Sequence, residues 1–135
     1  MIIKKSTPTA EIELTDDGII SYRSLPNMMI GSEEAKANIN LLKGLANGRR
    51  MPIFVDMRNV AGLDYEARKL SQEFGKQYTL CSAILVDNGI SKIIGNFFLG
   101  FAKPGDAPVK IFQDENTAME WLKTTAASLQ NQHDK

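Results

Sequence analysis

Pro52-Ile53-Phe54-Val55-Asp56 and Leu80-Cys81-Ser82-Ala83-Ile84-Leu85-Val86 are two apolar runs, and between them Ala67, Leu70, Phe74 and Tyr78 recur at helical spacing. A strand that is apolar at consecutive positions has both faces covered, as inside a layered α/β sheet; a strand with one wet face alternates instead. Residues 52–86 therefore read as strand, helix, strand, a parallel pair with its crossover. The first strand exits at the acidic Asp56, the connection 57–63 is polar, and Asp64 is placed to cap the helix.

Upstream, Ala10 to Thr15 alternates apolar and acidic residues, Asp16-Asp17-Gly18 supplies a turn, and Ile19 to Leu25 runs back, which predicts an opening β-hairpin. Pro26 to Gly31 breaks the pattern. Ser32 is placed to cap a first helix, with Glu33 and Glu34 in its first turn, Ala35, Ile39, Leu42 and Ala46 as its apolar stripe, and Asn47-Gly48 at its end. Gly48 is the expected left-handed residue. Downstream, Asp87-Asn88-Gly89 forms a turn and Ser91 opens a third helix in which Ile94, Phe97, Phe98 and Phe101 recur; Gly95 and Gly100 each cost that helix about 1 kcal/mol against alanine. A loop over 103–108, a strand Val109 to Phe112, and a helix capped by Asp114 with Ala118, Trp121, Leu122 and Thr125 inward complete the chain.

The predicted order is β-β-α-β-α-β-α-β-α: one α/β domain, a mixed, mostly parallel sheet with an N-terminal hairpin, and four helices. Residues 1–9 are expected to form an N-terminal extension, 10–129 the domain, and 130–135 a frayed polar tail. This order resembles the SpoIIAA-like group of STAS domains over about Thr9 to Leu129. The resemblance rests on Phe54-Val55-Asp56 leaving a central strand, Glu66-Ala67-Arg68 in the next helix, Gly95-Asn96-Phe97-Phe98 in the third, and Val109-Lys110-Ile111-Phe112 followed by Ala118 to Leu122. It implies that fold and a non-enzymatic regulatory or protein-interaction role. STAS anti-sigma-factor antagonists carry a phosphorylated serine or threonine at the start of the helix after the central strand. Here Ala61 to Ala67 offers no hydroxyl but the Tyr65 phenol, Ser71 comes two turns later, and Asp64 and Glu66 would repel a phosphate. Phosphoswitching is therefore not carried over.

Sixteen basic and sixteen acidic residues in 135 cancel, so no overall field draws the chain to nucleic acid or to an anionic membrane. Cys81 and His133 are single residues of their type, which excludes an internal disulfide and the usual zinc spacings. Lys4 and Lys5 are not followed by an apolar signal region, and the mostly apolar stretch Ile93 to Ala102 is far short of the ~20 residues a spanning helix needs. A cytoplasmic location without membrane insertion is expected. No GxGxxG or GxxxxGK[ST] occurs, so no nucleotide cofactor is expected.

Asp56, Asp64 and Asp87 fall at or past strand ends, where open α/β sheets bind ligands. They read as a conceivable hard-cation site or, ordinarily, as caps and solvated acids. A receiver-domain analogy fails, because Asp16 and Asp17 lie in a hairpin turn and no lysine follows the last strand closely. Arg58 and Arg68 are placed to hold an anionic ligand or to pair with Asp56, Asp64 or Glu66. Cys81 sits among apolar residues with no histidine near it in sequence, so it reads as a buried thiol and not as a nucleophile. The third helix is the most suggestive element: Ile90, Ile93, Ile94, Phe97, Phe98, Leu99 and Phe101 make it apolar over more than one face. The candidate binding residues are therefore Ile93, Phe97, Phe98, Phe101, Arg58, Asp64 and Arg68. Two functions follow: a protein-interaction module, homodimerisation included, and a carrier or sensor of an apolar or anionic small molecule held between the third helix and the sheet. No acid-base pair is placed for catalysis.

Overall fold

The computed structural model describes residues 2–87, 89–99 and 106–133, with 96–99 and 132–133 described by backbone alone. In chain order the elements are β1 (Ile3–Ser6), β2 (Ala10–Leu14), β3 (Ile20–Ser24), β4 (Met29–Ile30), α1 (Ser32–Ala46), β5 (Met51–Asp56), β6 (Gly62–Leu63), α2 (Tyr65–Tyr78), β7 (Thr79–Leu85), α3 (Ile90–Leu99), β8 (Val109–Phe112) and α4 (Glu115–His133). The two apolar runs become adjacent parallel strands at the centre of a sheet ordered β1-β2-β3-β5-β7-β8. β1, β2 and β3 are antiparallel and the remaining pairings are parallel. Register shifts between Met51 and Pro52, where proline has no N–H to give the ladder.

Alternation along β5 sorts the core into two layers. Phe54 faces Ala118, Leu122 and Ala126 of α4 in one cluster with Ala83 and Leu85. Ile53 and Val55 face the other way, toward Leu42 of α1 and Phe74 of α2, and Ile84 and Val86 of the same layer meet Ala35, Ala67 and Ile94 of α1, α2 and α3. Three helices thus cover one face and α4 covers the other. Full burial of Phe54, Leu85 and Leu122 contributes about 1.5–3 kcal/mol each.

Asp64 caps α2 by accepting from the Ala67 N–H at 2.8 Å, and Asp114 caps α4 by accepting from the Thr117 N–H at 2.8 Å, both as expected. Two other caps differ. Ser32 is already the first residue of α1 and Gly31 is its N-cap, because Met29–Ile30 is drawn into a short parallel pairing with Gly62–Leu63 that keeps the backbone extended up to the helix. That small second sheet lies in stretches expected to be irregular. Ser91 lies inside α3; its Oγ accepts from the Asp87 N–H at 2.9 Å, and its hydroxyl also bonds the Asp87 carboxylate. Asn47, φ 52°, is the C-cap of α1, and Gly48, φ 80°, follows it in the left-handed region as expected. Gly95, charged against α3 on propensity, has a packing role: a Cβ there would stand 3.1 Å from both Val86 Cγ1 and Ile111 Cδ1, so its absence lets α3 settle onto the sheet.

The chain ends also differ from expectation. Residues 3–6, assigned to an extension, form the edge strand β1, paired from Ile3↔Leu14 to Ser6↔Glu11. The polar tail is helical through His133, as the continuation of α4.

A polar knot holds that edge. Asn38, 3% exposed, sits within the apolar stripe of α1; its amide donates to Thr9 Oγ1 at 3.1 Å and Tyr22 Oη at 3.0 Å, while its carbonyl accepts from Thr7 Oγ1 at 2.7 Å. Thr7 Oγ1 in turn accepts from the Ala10 N–H at 3.0 Å. One side chain therefore ties α1 to β3 and to the β1–β2 turn, and removing it strands several buried groups at once. Asn38→Ala is expected to lower unfolding free energy by about 1–3 kcal/mol, read from urea denaturation. An unchanged midpoint would show that the knot carries no stability.

Candidate functional site

The carboxyl ends of the parallel strands gather the starts of all four helices, and the sequence-predicted Arg58, Asp64 and Ile93 lie there. Arg23 and Asp56 are register partners across β3 and β5, on the face that carries α4. Arg23 Nη1 donates to Asp56 Oδ2 at 2.8 Å, and its two Nη groups grip Glu115 at 3.1 Å each. Arg58 closes the group: Nε donates to Asp56 Oδ1 at 3.1 Å, Nη2 to Asp56 Oδ2 at 2.9 Å and to Glu115 Oε1 at 3.4 Å, and its backbone N–H to Asp56 Oδ1 at 3.1 Å. The Arg23 guanidinium also lies 5.1 Å from the centroid of Phe54, in cation–π range. Glu115, first in α4, is well placed against the helix dipole.

Two cations and two anions make this cluster neutral. Burial alone would raise the Asp56 carboxyl, but hydrogen bonds from the Arg58 side chain and backbone, with the charges of Arg58 and Arg23, hold it below the usual carboxylate range. Arg58 is committed to Asp56 and Glu115, so pairing, and not anion capture, is what its geometry shows. Arg68 is elsewhere, donating from Nε to Leu63 O at 2.7 Å. The three strand-end acids do not converge: Asp56 is among arginines, Asp64 caps α2, and Asp87 accepts from the Asn59 N–H at 3.2 Å. Among the described residues, no three acids, cysteines or histidines meet as a metal-holding group, which overturns the cation reading.

Cys81 is fully buried, and burial pushes its thiol up to about 11, so almost no thiolate exists at neutral pH. Around the ion cluster the same end of the molecule presents large apolar side chains: Met29 is 61% exposed, Tyr65 62%, Ile90 51% and Ile93 64%. Met29 and Ile93 directly neighbour in sequence Ile30 and Ile94, two members of one core cluster. Ile93 was foreseen on α3; the side chains of Phe97 and Phe98, and Phe101 as a whole, lie outside the described residues. A cavity of about 130 Å³ does exist, but it lies between α1, α2 and the sheet. No described residue of α3 lines it, contrary to the expected position.

Arg23 and Glu115 escaped the sequence reading because their partners are remote: Arg23 is 33 residues from Asp56 and 92 from Glu115. An arginine one strand away from an acidic strand end was the only available signal.

Removing the charge of Asp56 leaves two arginines facing one glutamate. Asp56→Asn is expected to cost about 1–3 kcal/mol of stability at neutral pH. Because the folded value of Asp56 is depressed, its contribution is present above the unfolded carboxylate value of about 3.9 and is lost as pH falls through the lower folded value. Urea midpoints of the two chains should therefore differ at neutral pH and converge near pH ~2; a gap that persists in acid would contradict the pairing.

The fold has a solved counterpart. An uncharacterized protein of the DUF3478 family from Shewanella loihica PV-4, with a SpoIIAA-like fold, superposes with a TM-score of 0.60 at 19% identity, covering 90% of this chain and 93% of that one. This places the chain in the SpoIIAA-like fold, as its element order implied. No curated protein matches the sequence. The profile of DUF7793, a domain of unknown function, matches residues 12–126, nearly the whole of the sheet and helices described above, and the chain therefore belongs to the DUF7793 family.

Proposed function

We propose that this domain is a non-enzymatic, STAS-type interaction module, lacking the phosphorylatable serine or threonine of the anti-sigma-factor antagonists, and that it pairs with a second copy of itself through the face bearing Met29, Tyr65, Ile90 and Ile93. The exposure of these four apolar side chains at one end of the sheet carries the reading. Isolated exposed hydrophobics are ordinary, but four at one end of the sheet make a surface that gains by being covered. A chain whose sixteen cations and sixteen anions cancel opposes the approach of its own copy with no net repulsion.

A non-catalytic role is supported by the state of the reactive groups. The Cys81 thiol is buried and protonated, the Asp56 carboxylate is occupied by two arginines, and Asp64 is spent on a helix cap. In place of a hydroxyl, the start of α2 presents Tyr65 between Asp64 and Glu66, so a contact there is apolar and acidic in character. A location in the cytoplasm accords with a lone, reduced cysteine.

Light scattering at two protein concentrations tests the reading. The chain is expected to gain mass toward a dimer as concentration rises, and Ile93→Asp to return it to monomer with the thermal midpoint that the unaltered chain shows when dilute, since Ile93 is largely solvent-exposed in the single chain. A strict monomer at both concentrations, or a dimer indifferent to Ile93→Asp, would refute it.

A further inference from the structure

We propose that the cavity between α1, α2 and the sheet is a slot that takes one unbranched aliphatic chain with an uncharged polar end. Its floor crosses four neighbouring strands, from Tyr22 on β3 through Val55 on β5 and Ile84 on β7 to Val109 on β8. Strands stand about 4.8 Å apart, which makes that floor about 14 Å long. A volume of about 130 Å³ drawn out over this length is narrow, and its shape suits a chain better than a ring.

Small residues open the slot at its middle. Ser82 lies in register between Ile53 and Val109, so a short side chain interrupts a row of branched ones. Above it, Ser71 and Gly75 also line the space; one turn apart on α2, they share a face. Glycine is the poorest helix residue after proline, and neither a positive φ nor a close neighbour calls for it at position 75. A Cβ there would meet no described atom within 4 Å. The missing side chain thus leaves room that no described residue takes up.

The lining sets the chemistry of the occupant. Several of its polar groups are engaged: Thr79 Oγ1 donates to Gly75 O and stands 3.4 Å from Ser82 Oγ, and Tyr22 Oη accepts from the Asn38 amide. Ile39, Leu42, Ile53, Val55 and Ile84 give the remainder an aliphatic surface, which gains by covering apolar atoms. Where the lining reaches Lys76 and Asp106, 34% and 26% exposed, the two form an ion pair at 3.8 Å. A polar end of the occupant meets water there, and an ionic one finds its counter-charge already matched.

Straight-chain alcohols from 1-butanol to 1-decanol, titrated into the full chain while the backbone amide resonances of Tyr22, Val55, Ile84 and Val109 are followed, test the slot. Saturable affinity is expected to rise about fourfold with each methylene, the worth of one buried CH₂. It should level off at about eight to ten carbons, where a chain advancing about 1.2 Å per bond has filled the floor. Cyclooctanol is expected to bind about tenfold more weakly than 1-octanol, or worse, because a ring overpacks the slot, and octanoate also more weakly. Gly75→Leu, which places a side chain in the slot, is expected to abolish the shifts; should that variant fail to fold, the alcohol series and cyclooctanol decide alone. The proposal would be overturned by shifts that do not saturate or that fall only at Met29, Tyr65 and Ile93. Affinity flat with chain length or still rising at 1-decanol, cyclooctanol or octanoate as tight as 1-octanol, or binding that survives Gly75→Leu would each overturn it as well.

Discussion

Asp56 is the carboxylate on which the working end of this domain depends. It ends the central strand, is only 8% exposed, and cannot stay charged there without partners. The partners come from three places: Arg23 on the neighbouring strand, Arg58 on the loop after β5, and, through both arginines, Glu115 at the start of α4. A helix that crosses the opposite face of the sheet from the other three is thereby pinned at its first residue. The loop after β5 is set by the same contacts, and it carries the chain on to β6 and to the Asp64 cap of α2.

The two faces of the sheet have different consequences. On the α4 side, the small residues Ala83, Ala118 and Ala126 let helix and sheet approach closely around Phe54 and Leu122, and the packing is filled. On the other side, α1 and α2 meet each other over the sheet, and polar residues enter the layer: Asn38, Tyr22, Ser24, Gln72 and Ser82. Asn38 resolves its polarity with three partners. A cavity persists where the layer is mixed, because dense apolar packing is not achieved there. The apolar end face and this cavity are thus separate products of the same three-helix layer, one outside it and one within.

How legible this was in the sequence varied with the range of the interaction. The uninterrupted apolarity of 52–56 and 80–86 and the helical spacing of Ala67, Leu70 and Phe74 are local signals, and the strands and helix they predict are present. So are the caps Asp64 and Asp114, whose acceptors reach only three residues ahead. Ser32 and Ser91 misled because serine near a helix start is permissive, and tertiary pairing decided: β4 with β6 in one case, Asp87 with Ser91 in the other. Of the candidate site, Ile93 was readable from the excess apolarity of α3, and Arg58 from its closeness to Asp56. Arg23, Glu115 and Met29 were not, since each acquires its role only when strands and helices distant in sequence are brought together. The pocket expected beneath the third helix falls on side chains that lie largely outside the described residues, while the described cavity lies under α1 and α2.

Amide hydrogen exchange of the full chain at low and high concentration tests directly whether a second copy covers the end face. Exchange is predicted to slow with concentration at residues 28–30, 62–66 and 90–95 and to remain unchanged along β1 and β2. Concentration-independent exchange throughout, or protection confined to β1 at the open edge of the sheet, would contradict it.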